Sequence, residues 1–458
     1  VITRLWKYNK SSLVLILTCA ILYYSFAYTT LRTDFVKVFS LWGALFFLSY
    51  KIFQLHKGDY KLLAFTALLF RVIFLFATPN LSQDFYRFIW DGRMLLEGMN
   101  PYLSLPETWI KAGNLPVAQA IELYQGMGPL NGSHFTNYPP ISQLAYAIAA
   151  LLSPNSILGA AIVFRLILIS ADIGIFFIGR KLLKKLHLQE NRIFWYILNP
   201  FIIIELTGNL HFEALMIFFI VWSLYLIVQN KWFWAGIVLA LSVSVKLIPL
   251  LFLPLFFQKY FFSEKKRLFG FLKLCGFYSV VLISTLLLFI PFLSKTFIQN
   301  FSTTIALWFQ NFEFNASIYY IIRWIGYQTI GWNIIATAGK ILPLVFLCLL
   351  LILSFFRKNK ETIPLITAML ISISVYYFLS TTVHPWYIAV PLFLCIFTPY
   401  RFPIVWSFLI ILSYTAYTDL GFKENLWMVA IEYILVIGVF VYESFISSSV
   451  FFKPKATN

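Results

Sequence analysis

The chain has 458 residues, of which 60% are hydrophobic, 20% aromatic and only 12% charged, with a formal net charge of +17. At a mean hydropathy of +0.82 it could not cover a soluble globule of this size with polar groups, so a soluble fold is excluded. The positive charge does not point to nucleic acid. It falls in short links between apolar runs: Arg4/Lys7/Lys10, Lys57/Lys61, Arg180/Lys181/Lys184/Lys185, Lys265/Lys266/Arg267, Arg357/Lys358/Lys360 and Lys453/Lys455. That is the bias of links kept on the cytoplasmic side of a membrane, where anionic lipid also attracts them.

Apolar runs of roughly 17–25 residues recur along the chain, which gives an all-α polytopic membrane protein with one membrane domain over 1–458. The runs lack strand alternation, so an outer-membrane barrel is excluded. The first run, 12–30, is too long for a signal-peptide core and has no small-residue cleavage site, so it reads as a helix. With the N-terminus inside, helices at about 12–31, 35–53 and 60–78 deliver the chain to the outer side at Pro79. The longest polar interval, 79–140, opens there and includes an amphipathic stretch near 107–124. The next apolar run, of only about 13 residues, ends near Ser153 and is too short to cross. If it crossed, the basic link 180–192 would lie outside, so it is expected to be juxtamembrane or re-entrant, and 157–183 is the next span.

Beyond that span, 193–209 and 212–229 meet at an outer turn carrying Asn209, His211 and Glu213. Two short runs, 232–245 and 247–261, flank Lys246 and Pro249, and a helix at 270–292 leads to a second outer loop, 294–331. Helices near 332–356 and 362–380 precede the turn His384-Pro385-Trp386-Tyr387. Runs near 387–399, 402–418 and 426–447 then return the C-terminus inside. The expected total is about 12–14 transmembrane helices.

The densest charge is in Asp84-Phe85-Tyr86-Arg87-Phe88-Ile89-Trp90-Asp91-Gly92-Arg93. Two carboxylates and two guanidiniums at the mouth of a membrane helix are costly to place without a role. In a helix, Asp84, Arg87 and Asp91 share a face by their spacing of three and four. A carboxylate beside cations is expected to keep a low pKa and stay ionised, which suits a general base or a cation ligand. A solvated helix laced with salt bridges accounts for the same residues. The His211/Glu213 turn, with Glu205 and Asn209 nearby, suits either sugar hydroxyls or loose helix-end backbone groups. Lys246 is a site cation or a snorkelling one, and His384 with its aromatic neighbours is a site or an interfacial belt. Arg165 and Asp172, seven apart in one helix, are expected to form a structural ion pair. The four cysteines are scattered in apolar runs and read as packing residues. No histidine pair has ligand spacing and no phosphate-binding glycine pattern occurs, so no metal site and no cofactor is assigned, with room left for a divalent cation.

Taken in order, several of these pieces resemble the membrane glycosyltransferases of the GT-C class, above all bacterial polyprenol-phosphate-mannose-dependent mannosyltransferases. They are Asp84-Phe85-Tyr86-Arg87 through Arg93, Gly98-Met99-Asn100-Pro101-Tyr102, Tyr138-Pro139-Pro140, Asn199-Pro200, Glu205, Gly208 to Glu213, Lys246-Leu247-Ile248-Pro249 and His384-Pro385-Trp386-Tyr387. The likeness covers about 79–390. It implies a GT-C-like bundle with juxtamembrane helices in the first large outer loop, multi-pass in a bacterial inner membrane, with its active site on the outer face. It also implies an acidic catalytic base in the 79–140 loop, here Asp84 with Asp91 in reserve. The implied reaction moves a hexose, mannose by likeness, from a polyprenyl-phosphate donor to a hydroxyl of a lipid-linked or glycan acceptor, with inversion. In many such enzymes the acidic loop follows the first helix. Here it follows the third, so the two leading helices are expected to be additions.

The residues support the same chemistry. No nucleotide-sugar pool exists outside the cytoplasmic membrane, so a donor there must travel on a lipid. A phosphate leaving group calls for cations, and an acceptor hydroxyl for a carboxylate base. Arg87, Arg93, Lys246, Arg323 and His384 are candidates for the first role, and Asp84 or Asp91 for the second. Tyr138, Asn209, His211, Glu213, Trp386 and Tyr387 complete the expected binding set. The expected partners are the donor, the acceptor and membrane lipids, with no nucleic acid. Two other classes compete. A lipid-oligosaccharide flippase or transporter would concentrate charge mid-membrane and show repeat symmetry. An oligosaccharide ligase or polymerase shares the large outer loop but usually lacks the early Asp-Phe-Tyr-Arg segment.

Overall fold

The computed structural model describes residues 10–446, so Arg4, Lys7, Lys453 and Lys455 lie outside the described residues. Among the described residues the fold is helical almost throughout, the strands being one short hairpin, Tyr417–Thr418 with Gly421–Phe422. Among the described residues, seven helices are long and apolar enough to cross a membrane: Lys10–Thr29, Phe35–Leu55, Ile157–Lys185, Arg267–Phe292, Ile335–Phe355, Thr362–Leu379 and Leu426–Phe445. The pair Pro200–Gly208 and Glu213–Val228, bent by 115°, makes an eighth if taken as one span. Five further apolar helices are only 10–17 residues long, so a total of 12–14 is reached only by counting these short ones. Composition does not show where a proline or polar break divides an apolar run. Asn199-Pro200 is one such break: the Asn199 side chain accepts from the Phe201 amide and starts a new helix at Pro200.

Three local features position the site. First, the third helix ends at Ile73 rather than running to Thr78. Its Arg71 turns inward to Asp172, Nε to Oδ2 at 2.7 Å, and also donates to the carbonyls of Ala67 and Ile197. The expected Arg165–Asp172 pair is therefore not formed. Arg165 instead donates to the carbonyls of Thr207, Gly208 and Leu75. Broken helices leave carbonyls without amide partners, and the five-donor guanidinium fork satisfies several at once.

Second, the polar interval 79–140 folds into the bundle. The helix Asp84–Leu96 buries most of its residues and packs on Pro140–Leu152. Gly92 makes this close crossing possible, because a Cβ there would sit 2.2 Å from the Tyr146 carbonyl oxygen. One turn away Phe88 stacks on Tyr146 with centroids 4.7 Å apart. The amphipathic stretch expected near 107–124 is two helices, Pro106–Lys111 and Ala120–Gly132. Left-handed backbone at Gly113 and Gln119 separates them.

Third, the 294–331 loop is itself helical, with Lys295–Gln310 and Ile318–Thr329. Phe314 pairs with Thr382 as an isolated parallel bridge, and the Asn315 amide donates to Glu424 at 2.6 Å. These contacts pin the second loop beside the His384 turn.

Candidate active site

Several links that the sequence expected on the outer side line one cavity. The segments around Arg32, Asp84, Asn131, Lys246, Glu313 and His384 converge on an open cavity of about 1040 Å³. Those side chains give it a polar lining. Ile248, Leu251, Leu344, Phe346, Leu347 and Leu350 add apolar lining, and Leu344 and Leu347 are exposed.

Asp84 is the first residue of its helix, and it lines the cavity. Its Oδ1 accepts from Asn131 Nδ2 at 3.2 Å. Burial raises its pKa above the ordinary carboxylate value; the Asn131 bond and the charges of Lys246 and Arg32 only oppose that rise. The expectation of a low pKa is thus reversed, because the guanidinium counted on to lower it has turned away. Arg87 donates through Nε to Asp91 Oδ1 at 2.8 Å and through Nη1 to the carbonyls of Asn131 and His134, both at 2.7 Å. Asp91 is fully buried, receives a second bond from Gln143, and does not line the cavity. The two carboxylates of the motif therefore have different surroundings: one faces open space, the other is locked in an ion pair.

The remaining expected residues divide in the same way. Lys246 lines the cavity and donates to the buried Glu213 at 2.5 Å, with the Tyr387 ring 5.9 Å from its Nζ. His384, Trp386, Tyr387 and Tyr138 also line the cavity. His384 and His211 both stack on Trp386, at 4.6 and 3.6 Å between centroids. Burial, and next the charge of Lys246, push the His384 pKa down to about 3. At neutral pH it is therefore an uncharged imidazole that offers hydrogen bonding, not the cation the sequence suggested. His211 Nε2 lies 4.0 Å from Glu205 Oε2 in the interior, and Asn209 Oδ1 accepts from the Leu81 amide. Arg93 is bound to the Ala118 carbonyl and Gln119, and Arg323 to Glu313, so neither lines the cavity.

Arg32, Asn131, Tyr414 and Tyr417 line the cavity and were missed from the sequence, and Glu313 of the second outer loop lines it too. Arg32 had a usable signal: it stands in the first link expected on the outer side, against the general bias of cations toward the inner one. Asn131 and the tyrosines had none, since their place depends on how distant segments pack. Among the described residues, no group of three or more His, Cys, Asp and Glu side chains is placed to hold a metal ion.

Residues 8–260 match the family model described as alpha-(1->6)-mannopyranosyltransferase, N-terminal domain. The match begins ahead of the first helix, so the two leading helices are part of the family's pattern rather than additions to it. Alpha-(1->6)-mannopyranosyltransferase A of Mycobacterium tuberculosis (strain ATCC 25618 / H37Rv) is 23% identical over 181 residues, which cover 39% of this chain and 33% of that protein. The chain thus spans about a third of the length of the curated relative it matches.

Proposed function

The chain belongs to the alpha-(1->6)-mannopyranosyltransferase family, and from that premise we propose that it is an integral membrane mannosyltransferase using a polyprenyl-phosphate donor. The acceptor is a hydroxyl of a lipid-linked or glycan mannoside, and the new linkage is α-(1→6). The observation that carries this reading is the mixed lining of the cavity, in which Asp84, Lys246 and Arg32 share one space with apolar side chains such as Ile248, Leu251, Leu344 and Leu347. The charged lining suits a phosphate head and the apolar lining suits an isoprenoid tail.

In the proposed reaction Asp84 accepts the proton of the acceptor hydroxyl, and the oxygen attacks C1 of the donor sugar. The C1–O bond to phosphate breaks and its electron pair leaves with the phosphate. A carboxyl whose pKa is raised toward the working pH is a better proton acceptor than an ordinary one. A single in-line displacement inverts C1, so a β-linked donor gives an α-linked product. The lysine and arginine bias of the other links supports an outer-facing cavity. Labelling of Asn114→Cys but not Ser263→Cys in intact cells is expected for that orientation, and the reverse pattern refutes it.

The decisive assay supplies the protein with polyprenyl-phosphate mannose or nucleotide-activated mannose, together with short mannoside acceptors. Product from the lipid donor alone, with an α-(1→6) linkage by NMR, is expected. Turnover of the nucleotide sugar without a lipid carrier refutes the donor assignment.

A further inference from the structure

The cations named by the sequence are largely committed elsewhere. Arg87 is held by Asp91, Arg323 by Glu313, Arg93 by Gln119 and a carbonyl, and the charge of Lys246 is matched by Glu213. Arg32 differs. It lies half-buried in the short link between Lys10–Thr29 and Phe35–Leu55 and lines the cavity. Its Nη2 donates to Gln83 Oε1 at 3.2 Å, and its Cζ sits 4.5 Å over the Tyr417 ring. Both partners are neutral, and among the described residues no carboxylate forms an ion pair with it. Gln83 is fixed in turn by donating to the Met127 carbonyl at 3.0 Å, and it immediately precedes Asp84. The guanidinium is thus aimed by the residue just ahead of the helix that the proposed base begins. A half-buried charge with no carboxylate in direct contact is costly, and an anionic ligand relieves that cost.

We propose that Arg32 receives the phosphate of the lipid-linked donor and stabilises it as it leaves, a role that rests on the lipid-phosphate reading above. Before transfer the phosphate is a diester with one negative charge. When its bond to C1 breaks and the acceptor proton passes to Asp84, the phosphate becomes a monoester carrying a second charge. That charge develops next to Arg32, whose planar fork matches two phosphate oxygens. Lys246, already matched by Glu213, supplies a hydrogen bond but little net charge.

Equilibrium binding to the full chain in lipid nanodiscs tests this without turnover. The probes are polyprenyl monophosphate, the corresponding polyprenol and inorganic phosphate. The wild type is expected to prefer the phosphate lipid over the alcohol by roughly tenfold or more, the range of a charge-assisted hydrogen bond. Arg32→Gln is expected to lose that preference while binding the alcohol unchanged, and Arg32→Lys to keep part of it. If Arg32→Gln does not fold, Arg32→Lys carries the test with the same expected direction. A variant that keeps the full wild-type preference overturns the role of Arg32 and leaves the donor reading standing. A wild type that does not distinguish the two lipids overturns both. Inorganic phosphate that displaces the lipid at equal concentration shows a site for the free anion and overturns the lipid assignment.

Discussion

Replacing Asp84 by asparagine should separate chemistry from folding. The oxygen of the introduced amide can still accept the bond from Asn131, and the change is nearly isosteric. One small loss is the attraction between a carboxylate and a helix N-terminus, about 0.3–1 kcal/mol. Against it stands the effect of burial. Asp84 binds its proton more tightly in the fold than in the unfolded chain, because burial raises its pKa. Such a group stabilises the fold below its unfolded pKa, and that stability is lost as pH rises through the folded pKa. Once ionised, the carboxylate is therefore a burden on the fold, and the neutral amide removes it. The variant is expected to melt at or above the wild-type temperature. Turnover is expected to fall by roughly 10²–10⁴-fold, the usual worth of a general base, or about 2.7–5.5 kcal/mol of barrier. Initial rates with polyprenyl-phosphate mannose, measured beside melting by intrinsic fluorescence, read both quantities. Turnover near the wild-type rate in a stable variant would place the base elsewhere.

Asp91→Asn is expected to fail differently. It leaves Arg87, only 5% exposed, without its countercharge, at a cost of about 3–5 kcal/mol; the yield of folded protein should drop, and a well-folded but inactive variant would return Asp91 as a candidate base. Lys246→Met likewise strands Glu213, whose side chain is 1% exposed, so it should destabilise by a similar amount, and adding Glu213→Gln should restore the melting temperature. If the single variant melts as the wild type does, the ion pair carries no structural weight. Activity should rise with pH as Asp84 gives up its proton, with the acid limb of kcat/KM centred above the ordinary aspartate value of about 3.9. A limb at or below that value contradicts the raised pKa.

The sequence showed which residues were out of place more readily than it showed their partners. Asp84, Lys246 and His384 stand out because charge or imidazole is rare in such apolar surroundings, and all three line the cavity. Arg87 had a carboxylate three residues before it and another four after it, and spacing alone does not choose between them. The structure pairs it with the later one, which frees Asp84 to face the cavity and removes the cation expected to lower its pKa. Arg165 likewise had Asp172 seven residues away, but nearby broken helices offered it three carbonyls, and Asp172 went to Arg71. Partner choice of this kind depends on where helices end, and the end of the third helix at Ile73 was hidden inside a continuous apolar run. Arg32 was overlooked because a lone arginine in a short link resembles an ordinary interfacial charge.

The separate fates of Asp84 and Asp91 do not make the second carboxylate irrelevant to the first. Asp91 holds Arg87, Arg87 donates to the Asn131 carbonyl at 2.7 Å, and the Asn131 side chain donates to Asp84 at 3.2 Å. The buried ion pair thus acts on the proposed base through the segment that carries Asn131. Arg87→Lys tests this link, because an ammonium can still pair with Asp91 but lacks the fork that also reaches the Asn131 and His134 carbonyls. The Asn131 bond lowers the Asp84 pKa, so loosening it should let that pKa rise further. The sign follows directly: the acid limb of kcat/KM should move to higher pH, and the rate at neutral pH should fall with it. Asn131→Ala should shift the limb in the same direction, by an equal or larger amount, without touching Arg87. A purely structural role for Arg87 would lower the melting temperature and leave the limb where it is. An unmoved limb in both variants would break the chain between the ion pair and the base.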